Sequence, residues 1–599
     1  METIAAEPTP DARAQPVEQS PSIVQIGSGF VAVIGATLLL LIAWLVLVSW
    51  GLGDVPFHTK GEPREGLVVW EMTHGGGWIL PQRNGTELPS KPPLFHWLGA
   101  LASIAHGKTD EWSIRFPSAA LSLAGTFAVF AAGTALRNVT TGLPAALILM
   151  TTFEWARAST NARVDMTLTV GLEAAFLSLL FFWRTRSTTW LVPLYLGMSW
   201  AVLGKGPVGV ALPGLTVVVL LALSWNGEAF RERRYRAVFD WTCLRQMKPL
   251  HGAVAVIAIA GSWYVMALLI GGWPFFRKQI LAENVFTFLN NRHFDGGHRH
   301  GLFYQPLQLF LGLLPWSLLL PGLAVTLWQK RQELGRNDWR LYMLIWIAVV
   351  FSFFEVAASK RGVYLLSLYP AVALLLGWWL DEQRRAIVSQ RWLAGSLAII
   401  AWTATAVLLV TAVIVALECL GISPLALLQS RLKPKAAAGL ELGRTVIRAC
   451  GYRLTVLLTF AAIGLALSAQ AARGSRWSNV FVALWSTTAL ALLTTRIVVM
   501  PAAAHELTLR DFMVHVRQVV EPTAEMSFYK TFDYQAVYYS QRHIPTHRDA
   551  WTAPGPRYLL IESSAWKEQP AEALSAYEHV PLADEGKLIL LRRLSPPRG

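Results

Sequence analysis

Long apolar stretches separated by short polar segments repeat along most of the chain. The first, from Phe30 to Trp50, is almost wholly apolar and is long enough, at about 1.5 Å per residue, to cross about 30 Å of hydrocarbon. Twelve more follow, at 116–136, 141–158, 166–183, 190–203, 207–225, 250–270, 303–328, 339–356, 362–380, 392–416, 453–469 and 478–497. This pattern predicts an α-helical polytopic membrane protein with about thirteen transmembrane helices.

The two ends of the chain depart from this pattern. Residues 1–26 are rich in Pro, Ala and Glu, which predicts a disordered cytoplasmic tail. No small-residue cleavage site follows the first apolar stretch, so it is interpreted as an uncleaved anchor. Residues 27–497 then form the transmembrane domain, with outer loops at about 51–115 and 271–302. Residues 498–599 carry strand patterns near 525–532, 557–562 and 587–594 and a helical pattern near 506–520, which predicts a small α/β domain.

Composition agrees with a membrane protein, because 54% of the residues are hydrophobic and only 15% are charged. These values exclude a soluble multidomain enzyme, a disordered scaffold and a fibrous repeat. The net charge of +14 does not indicate a nucleic-acid partner, because the apolar stretches divide the basic residues among many short loops.

Loop charge sets the orientation, because Lys and Arg concentrate in short cytoplasmic loops. If the N-terminus is inside, every loop assigned to the inside holds at least one cation; these are Arg137, Arg184, Arg186, Arg231, Arg233, Arg234, Arg236, Arg245, Lys248, Lys330, Arg331, Arg336, Arg340, Arg384, Arg385, Arg391, Arg473 and Arg476. The C-terminal α/β domain is therefore predicted to be extracytoplasmic.

Several cations violate this bias and lie at the outer ends of helices: Arg64, Lys91, Arg163, Lys205, Lys360 and Arg361. Cations beside hydrocarbon on the side that normally avoids them are costly, so a shared anionic ligand is the economical explanation. For any one of them alone, the alternative is a side chain that reaches up to the lipid headgroups.

Three carboxylates, Glu62, Glu65 and Asp165, accompany these cations in the outer segments. Cations that hold an anionic leaving group, together with a carboxylate, are typical of phosphate-linked group transfer. The structural alternatives are an ion pair of Asp165 with Arg163 and a surface pair of Glu62 with Lys60 or Arg64.

Histidines and cysteines leave further alternatives open. His293, His298 and His300 lack the spacing of a helical metal-binding pair, so metal binding, substrate contact and a solvated loop all remain. Cys419 and Cys450 flank one predicted outer segment and form either a disulfide or two free thiols.

Short motifs, in order along the chain, resemble the aminoarabinose (lipid A) transferase family. They are Gly61-Glu62-Pro63-Arg64, Gly77-Trp78-Ile79-Leu80-Pro81, Ser90-Lys91-Pro92-Pro93-Leu94, Arg115-Phe116-Pro117-Ser118, Arg163-Val164-Asp165, Lys205-Gly206-Pro207, Leu314-Pro315-Trp316-Ser317, Ser359-Lys360-Arg361 and Tyr538-Tyr539-Ser540-Gln541-Arg542. Gly61 stands where the family has Asp, and Ser90 stands where relatives often have Glu, so a metal site built on that Glu is not supported.

The resemblance implies an inverting glycosyltransferase of the GT-C superfamily, related to protein mannosyltransferases and located in the bacterial inner membrane with a periplasmic C-terminus. The implied donor is a polyprenyl (undecaprenyl) phosphate carrying 4-amino-4-deoxy-L-arabinose or another pentose or hexose. The implied acceptor is lipid A, another envelope glycan or a protein. No cofactor is expected. The alternative function is a transporter or flippase for an anionic lipid-linked sugar. The positions of the cations argue against this alternative, because they lie at helix ends, whereas a transport pathway would need them at mid-span.

The hypothesis assigns a role to each candidate residue. Lys91, Lys205, Lys360 and Arg361 bind the donor phosphate. Glu62 or Asp165 is the catalytic carboxylate, and Arg64 and Arg163 help to orient the carboxylates. The remaining candidates contact substrate, and these are Arg163, His293, His298, His300 and Tyr364.

Overall fold

The computed structural model describes residues 23–225, 228, 231–232, 239–286, 300–385, 391–429, 432–474, 476–547, 555–569 and 575–594. Residues 1–22 of the predicted tail, 1–26, lie outside the described residues. The last four residues of that predicted tail belong to a helix that begins at Ile23. The protein is largely helical, as the apolar pattern predicts.

The α-helices up to the C-terminal sheet are Ile23–Trp44, Glu62–Thr73, Leu94–His106, Glu111–Leu136, Val139–Thr151, Phe153–Ser159, Asp165–Thr185, Leu191–Lys205, Val208–Leu223, Trp241–Gln246, Pro249–Val256, Ser262–Phe275, Tyr304–Gly312, Leu320–Gln329, Trp339–Val356, Tyr369–Arg385, Arg391–Cys419, Pro424–Gln429, Pro434–Cys450, Tyr452–Arg473, Trp477–Thr494, Met500–Leu507 and Arg510–Val519. Short π-helical segments extend several of them, at Leu45–Ser49, Ile257–Gly261, Phe276–Phe286 and Thr495–Val499. Turns of 3-10 helix occur at Thr188–Trp190, Trp316–Leu319, Arg331–Glu333 and Gly362–Leu368.

In the described part of the chain, nine helical runs are long and apolar enough to cross a membrane. The pair Tyr304–Gly312 and Trp316–Gln329, bent by 101°, makes a tenth if it is counted as one span. The predicted count of thirteen is not confirmed, because three predicted stretches form helices of 13, 15 and 16 residues, namely Val139–Thr151, Leu191–Lys205 and Val208–Leu223. Even the longest of these covers only about 24 Å.

The centre of the helical bundle is filled by large aromatic side chains and by close helix contacts at glycine. Trp155, Trp316, Trp346 and Trp379 are fully buried. Helices Glu111–Leu136 and Val139–Thr151 approach so closely that a Cβ on Gly133 would lie 2.7 Å from the Gly142 Cα. Such small residues let helix backbones pack directly against each other, as is typical of membrane bundles.

One end of the bundle holds a polar network around Asp381 and Glu382. The Asp381 carboxylate accepts a hydrogen bond from Arg137 Nε at 2.9 Å and lies 3.1 Å from Arg385 Nη2. Glu382 accepts from Arg137 Nη2 at 2.5 Å and from Lys330 Nζ at 2.7 Å. Three loops that the charge pattern assigns to the same side thus meet at one end, as that assignment requires.

The C-terminal region contains a small mixed sheet. Its strands are β1 Met526–Tyr529, β2 Thr546–His547, β3 Tyr558–Glu562, β4 Tyr577–Val580 and β5 Leu588–Arg593, in the order β2-β1-β3-β5-β4. β1 is parallel to β2 and β3, and β5 is antiparallel to β3 and β4. The three predicted strands are confirmed; β2 and β4 were not predicted.

The sheet region also contains the short helices Tyr534–Ser540 and Ser563–Lys567. Towards the membrane, the helical run Trp477–Leu507 continues past residue 498, where the sequence placed the domain boundary. The cysteine alternatives are settled as well, because Cys419 and Cys450 are free thiols.

The C-terminal region rests on the segment between the first two spans. The Asn84 side chain accepts from the Ile544 N–H and donates to the Ile544 carbonyl, both at 2.9 Å. The Tyr539 hydroxyl accepts from the Phe57 N–H at 2.7 Å and donates to Glu111 at 2.8 Å. This contact fixes the first outer segment, which carries several of the candidate residues.

Candidate active site

The Glu62 carboxylate is fully engaged by Arg115. Arg115 donates from Nε to Oε1 at 2.7 Å and from Nη2 to Oε2 at 3.0 Å, and the Ala162 N–H also donates to Oε1 at 3.0 Å. Burial alone would raise the pKa of Glu62, but the charge and hydrogen bonds of Arg115 hold it below its ordinary value. The predicted surface pair of Glu62 with Lys60 or Arg64 is wrong, because its partner is the buried Arg115. With both oxygens occupied, Glu62 has the environment of a structural ion pair.

Arg64 binds the neighbouring carboxylate, Glu65, and not Glu62. Its Nε and Nη2 donate to Glu65 Oε1 at 2.9 and 2.6 Å, while His96 Nε2 lies 2.8 Å from Oε2. Burial opposes ionisation of Glu65, but Arg64 and His96 together hold the pKa of Glu65 well below its usual range. The sequence predicts that Arg64 orients the catalytic carboxylate, Glu62 or Asp165. In the structure, Arg64 binds Glu65 instead.

Asp165 is the carboxylate that meets a candidate lysine. It begins the helix Asp165–Thr185, and its Oδ1 accepts from Lys205 Nζ at 2.5 Å. The Lys205 ammonium also lies 4.4 Å from the centroid of the Tyr364 ring. The predicted alternative, an ion pair of Asp165 with Arg163, is replaced by this pair. Arg163 instead packs against Gly61, where a Cβ would lie 3.0 Å from its Nη2.

Lys91 and Lys205 line one cavity of about 260 Å³. Lys91 Nζ is paired with Glu283 at 2.8 Å, and Pro92 and Pro93, which follow it, remove two backbone donors. The same cavity is lined by Glu283, Ser359 and Tyr364 and by the apolar residues Leu168, Pro207, Val208, Ala211, Phe353, Phe354 and Ala357. Two cations, one carboxylate and a tyrosine thus line a space with apolar walls, and a second carboxylate, Asp165, is paired with Lys205.

The other two predicted phosphate ligands lie beside this cavity and do not line it. Lys360 is buried and its Nζ donates to Glu355 at 2.7 Å. Arg361 Nε is buried without a hydrogen-bond partner among the described residues. Both belong to the segment 357–364, of which Ala357, Ser359 and Tyr364 do face the cavity. The predicted cluster of four cations is therefore reduced to two lysines that line the cavity and two residues that flank it.

The histidine hypothesis is only partly within the structure. His300 is exposed and stacks on Tyr304 at 3.8 Å between ring centroids. His293 and His298 lie outside the described residues. Among the residues that are described, no group of three or more His, Cys, Asp or Glu side chains could hold a metal ion.

Sequence reasoning missed Glu283, Arg115 and His96 as members of the polar cluster. Each is paired across a long stretch of chain, with Lys91, Glu62 and Glu65 respectively. Arg115 stands in one of the family-like motifs and would have been the available signal. Glu283 and His96 had no comparable signal in the sequence.

Comparisons with known proteins agree with the motif resemblance. Residues 90–236 match the family described as dolichyl-phosphate-mannose-protein mannosyltransferase. The chain is 24% identical over 353 residues to an undecaprenyl phosphate-alpha-4-amino-4-deoxy-L-arabinose arabinosyl transferase of Proteus mirabilis, a match that covers 57% of this chain and 59% of that protein. It is 26% identical over 349 residues to an uncharacterized protein of Aquifex aeolicus, covering 58% and 64%. The chain thus spans less than two thirds of the length of these relatives.

A solved structure extends the similarity over nearly the whole chain. The crystal structure of ArnT from Cupriavidus metallidurans bound to undecaprenyl phosphate superposes with a TM-score of 0.72 at 19% identity, covering 94% of this chain and 98% of that one. The resemblance to the aminoarabinose transferases is thereby confirmed, and the chain shares the fold of this solved structure. It is a multi-pass membrane protein.

Proposed function

We propose that this protein is an inner-membrane glycosyltransferase that moves a sugar from a polyprenyl phosphate to lipid A or another envelope acceptor on the periplasmic face, with inversion. The single observation that carries the proposal is the cavity in which Lys91 and Lys205, 114 positions apart in the sequence, face the same space. The donors named for the relatives, undecaprenyl phosphate sugars, have the anionic group that such a pair would bind.

The chemistry follows from the charges in the cavity. Transfer breaks the bond between the anomeric carbon and the phosphate oxygen and forms a bond from that carbon to an acceptor oxygen. The departing polyprenyl phosphate takes the electron pair, so fixed ammonium groups in a water-poor site stabilise the transition state. Without donor, Lys91 and Lys205 are neutralised by Glu283 and Asp165, at 2.8 and 2.5 Å. A bound phosphate competes with these carboxylates for the lysines.

Asp165 is the better supported catalytic carboxylate. When the donor phosphate binds Lys205, the Asp165 oxygen that accepts from this lysine is released. For a hydroxyl acceptor, that oxygen accepts the proton. For an acceptor that is itself a phosphate, no proton has to be removed, and Asp165 orders the lysine instead. Glu62, Arg64 and Arg163 support the loop, Lys360 and Arg361 flank the phosphate, and Tyr364 packs against the ammonium of Lys205.

The test is sugar transfer by the purified full chain in detergent, with a polyprenyl-phosphate sugar as donor and lipid A as acceptor. Lys91→Gln and Lys205→Gln are each expected to lower the turnover rate by about 100-fold or more, the loss typical of one oxyanion ligand. The matched control is Lys108→Gln, which removes an exposed lysine paired with Asp110 at 2.9 Å in the same outer segment and should leave turnover unchanged.

Two results would contradict the proposal. Full activity of both cavity variants would remove the phosphate-binding role from these lysines. Tight binding of the donor by the wild-type protein without transfer to any of the acceptors offered, that is lipid A, envelope glycan or peptide, would favour the transporter alternative.

A further inference from the structure

A second cavity, of about 350 Å³, lies at the end of the bundle that carries the first outer segment. Its walls come from the end of the first span, from the helices Val139–Thr151 and Phe153–Ser159, and from the last span. They are mostly apolar, with Leu47, Val48, Met150, Phe153 and Leu492 among them. Phe153 is half exposed, so the apolar wall reaches the outer surface of the bundle.

Three arginines face this apolar space, and two of them are fully compensated. Arg115 uses its guanidinium on Glu62 and on the carbonyls of Leu52 and Val55, at 2.6 to 3.1 Å. Arg157 binds Glu154 through two hydrogen bonds, at 2.5 and 2.9 Å. Neither needs a further anion.

Arg496 is different. Its Nη1 donates to the Leu47 carbonyl at 2.8 Å, but its Nη2 is buried and has no hydrogen-bond partner among the described residues. No carboxylate within the described part of the chain forms an ion pair with it. Asp54 acts on Arg496 only as a nearby charge and not as an ion-pair partner. A guanidinium held against hydrocarbon in this way keeps an unmet donor, which is costly.

We propose that this second cavity binds the phosphate headgroup of an anionic membrane lipid, with Arg496 as its main ligand. A guanidinium offers a planar pair of donors that fits phosphate oxygens, and the free Nη2 supplies the donor. The apolar wall of Met150, Phe153 and Leu492 suits an acyl chain, whereas a free inorganic phosphate would gain nothing from it. The occupant to which the observations point is therefore an amphiphile, with charge at one end and hydrocarbon at the other.

The second cavity is separate from the cavity of Lys91 and Lys205 but close to it. Asn161 lines the second cavity, and Asp165, which binds Lys205, follows four residues later, so the chain between them spans at most roughly 14 Å. Between the two, the Ala162 N–H donates to Glu62, whose partner Arg115 faces the second cavity. Lipid binding at Arg496 can be measured whether or not the chain transfers sugar.

The experiment is photo-crosslinking of the full chain in phosphatidylcholine nanodiscs that contain a photoactivatable phosphatidic acid. Labelled peptides are mapped by mass spectrometry and are expected within residues 150–161 or 492–500. Arg496→Gln should lower this labelling about tenfold or more, the worth of one charge-assisted hydrogen bond. The matched control is Arg510→Gln, which changes an arginine lying 4.0 Å from Glu111 and should label like the wild type.

Further arms decide what the site recognises. Unlabelled phosphatidic acid should displace the probe, and inorganic phosphate should not. Lys91→Gln should leave this labelling unchanged, which separates the second cavity from the donor cavity. Equal labelling by a photoactivatable phosphatidylcholine, or labelled peptides elsewhere, would overturn the proposal even if Arg496→Gln does not accumulate. If inorganic phosphate displaces the probe and phosphatidic acid does not, the site recognises a simple anion and the lipid proposal is overturned.

Discussion

The ion pair between Arg115 and Glu62 gives a sharp test of whether Glu62 is structural. The exposed fractions of the two side chains are 4% and 1%, and they meet through two hydrogen bonds at 2.7 and 3.0 Å. Arg115→Met removes the cation and leaves a buried carboxylate that retains only the Ala162 N–H as a donor. Breaking a buried pair from one side costs about 3–5 kcal/mol, because the remaining charge is not compensated.

The double variant Arg115→Met with Glu62→Leu distinguishes the cost of an unpaired buried charge from the loss of the other contacts of Arg115. Replacing both charges with apolar groups of similar size is often neutral or stabilising, so it should recover most of the lost free energy of unfolding. The control is Arg510→Met, because Arg510 is half exposed and lies 4.0 Å from Glu111; its loss should cost about 0–1 kcal/mol.

The pH dependence supplies a second readout. In the wild type the pKa of Glu62 lies below its ordinary value of 4.5, so the pair stabilises the fold above that pH and is lost as the pH falls through the lowered pKa. In Arg115→Met, burial without the cation raises the pKa of Glu62 above 4.5. The loss of unfolding free energy in the variant, relative to the wild type, should therefore be largest at neutral pH and shrink as the pH falls towards 4.5.

The assay is chemical unfolding in detergent, followed by tryptophan fluorescence. The reasoning would be refuted if Arg115→Met lost no more unfolding free energy than Arg510→Met. It would also be refuted if the loss for Arg115→Met grew on acidification. Failure of the double variant to recover would show that Arg115 acts mainly through the carbonyls of Leu52 and Val55, which it contacts at 3.1 and 2.6 Å.

Two further predictions concern the site and its support. In sugar transfer to a hydroxyl acceptor, Asp165→Asn should abolish turnover while the protein still accumulates and binds donor, whereas Glu62→Gln should lower stability more than the rate per folded molecule; the reverse pattern would return the catalytic role to Glu62. Asn84→Ala removes two hydrogen bonds to Ile544, each at 2.9 Å, and should raise hydrogen exchange in residues 534–547 by about 10-fold; unchanged exchange would contradict this role of Asn84.

The long spans could be predicted from the sequence because their apolar length is unmistakable, as in the stretch 30–50. The stretches 190–203 and 207–225 look similar in composition, but their helices end at Lys205 and Leu223 after only 15 and 16 residues. Composition records how apolar a segment is, but packing against neighbouring helices sets how much of the membrane it must cross. The count of spans was therefore less predictable than their positions.

The end of the bundle at which the site lies was predictable, whereas the pairing of its charges was not. Lys and Arg concentrate in the loops assigned to the inside, so Lys91 and Lys205 are predicted to share the opposite end of the bundle. In the structure both line one cavity. The nearest cation to Asp165 in sequence is Arg163, but residues two apart do not face each other at a helix, and the actual partner lies 40 positions away. Lys91 likewise binds Glu283 from 192 positions away. Such partners depend on how helices pack, which one sequence does not display.

The contact between Phe57 and Tyr539 joins parts of the chain that are 482 residues apart. At about 5–20 residues per second, the ribosome completes the second part roughly half a minute to a minute and a half after the first. During that interval Phe57 and its neighbours lack their final cover. A polypeptide interrupted before residue 540 would therefore leave this apolar surface open, a mark by which proteases and chaperones would distinguish unfinished copies from complete ones.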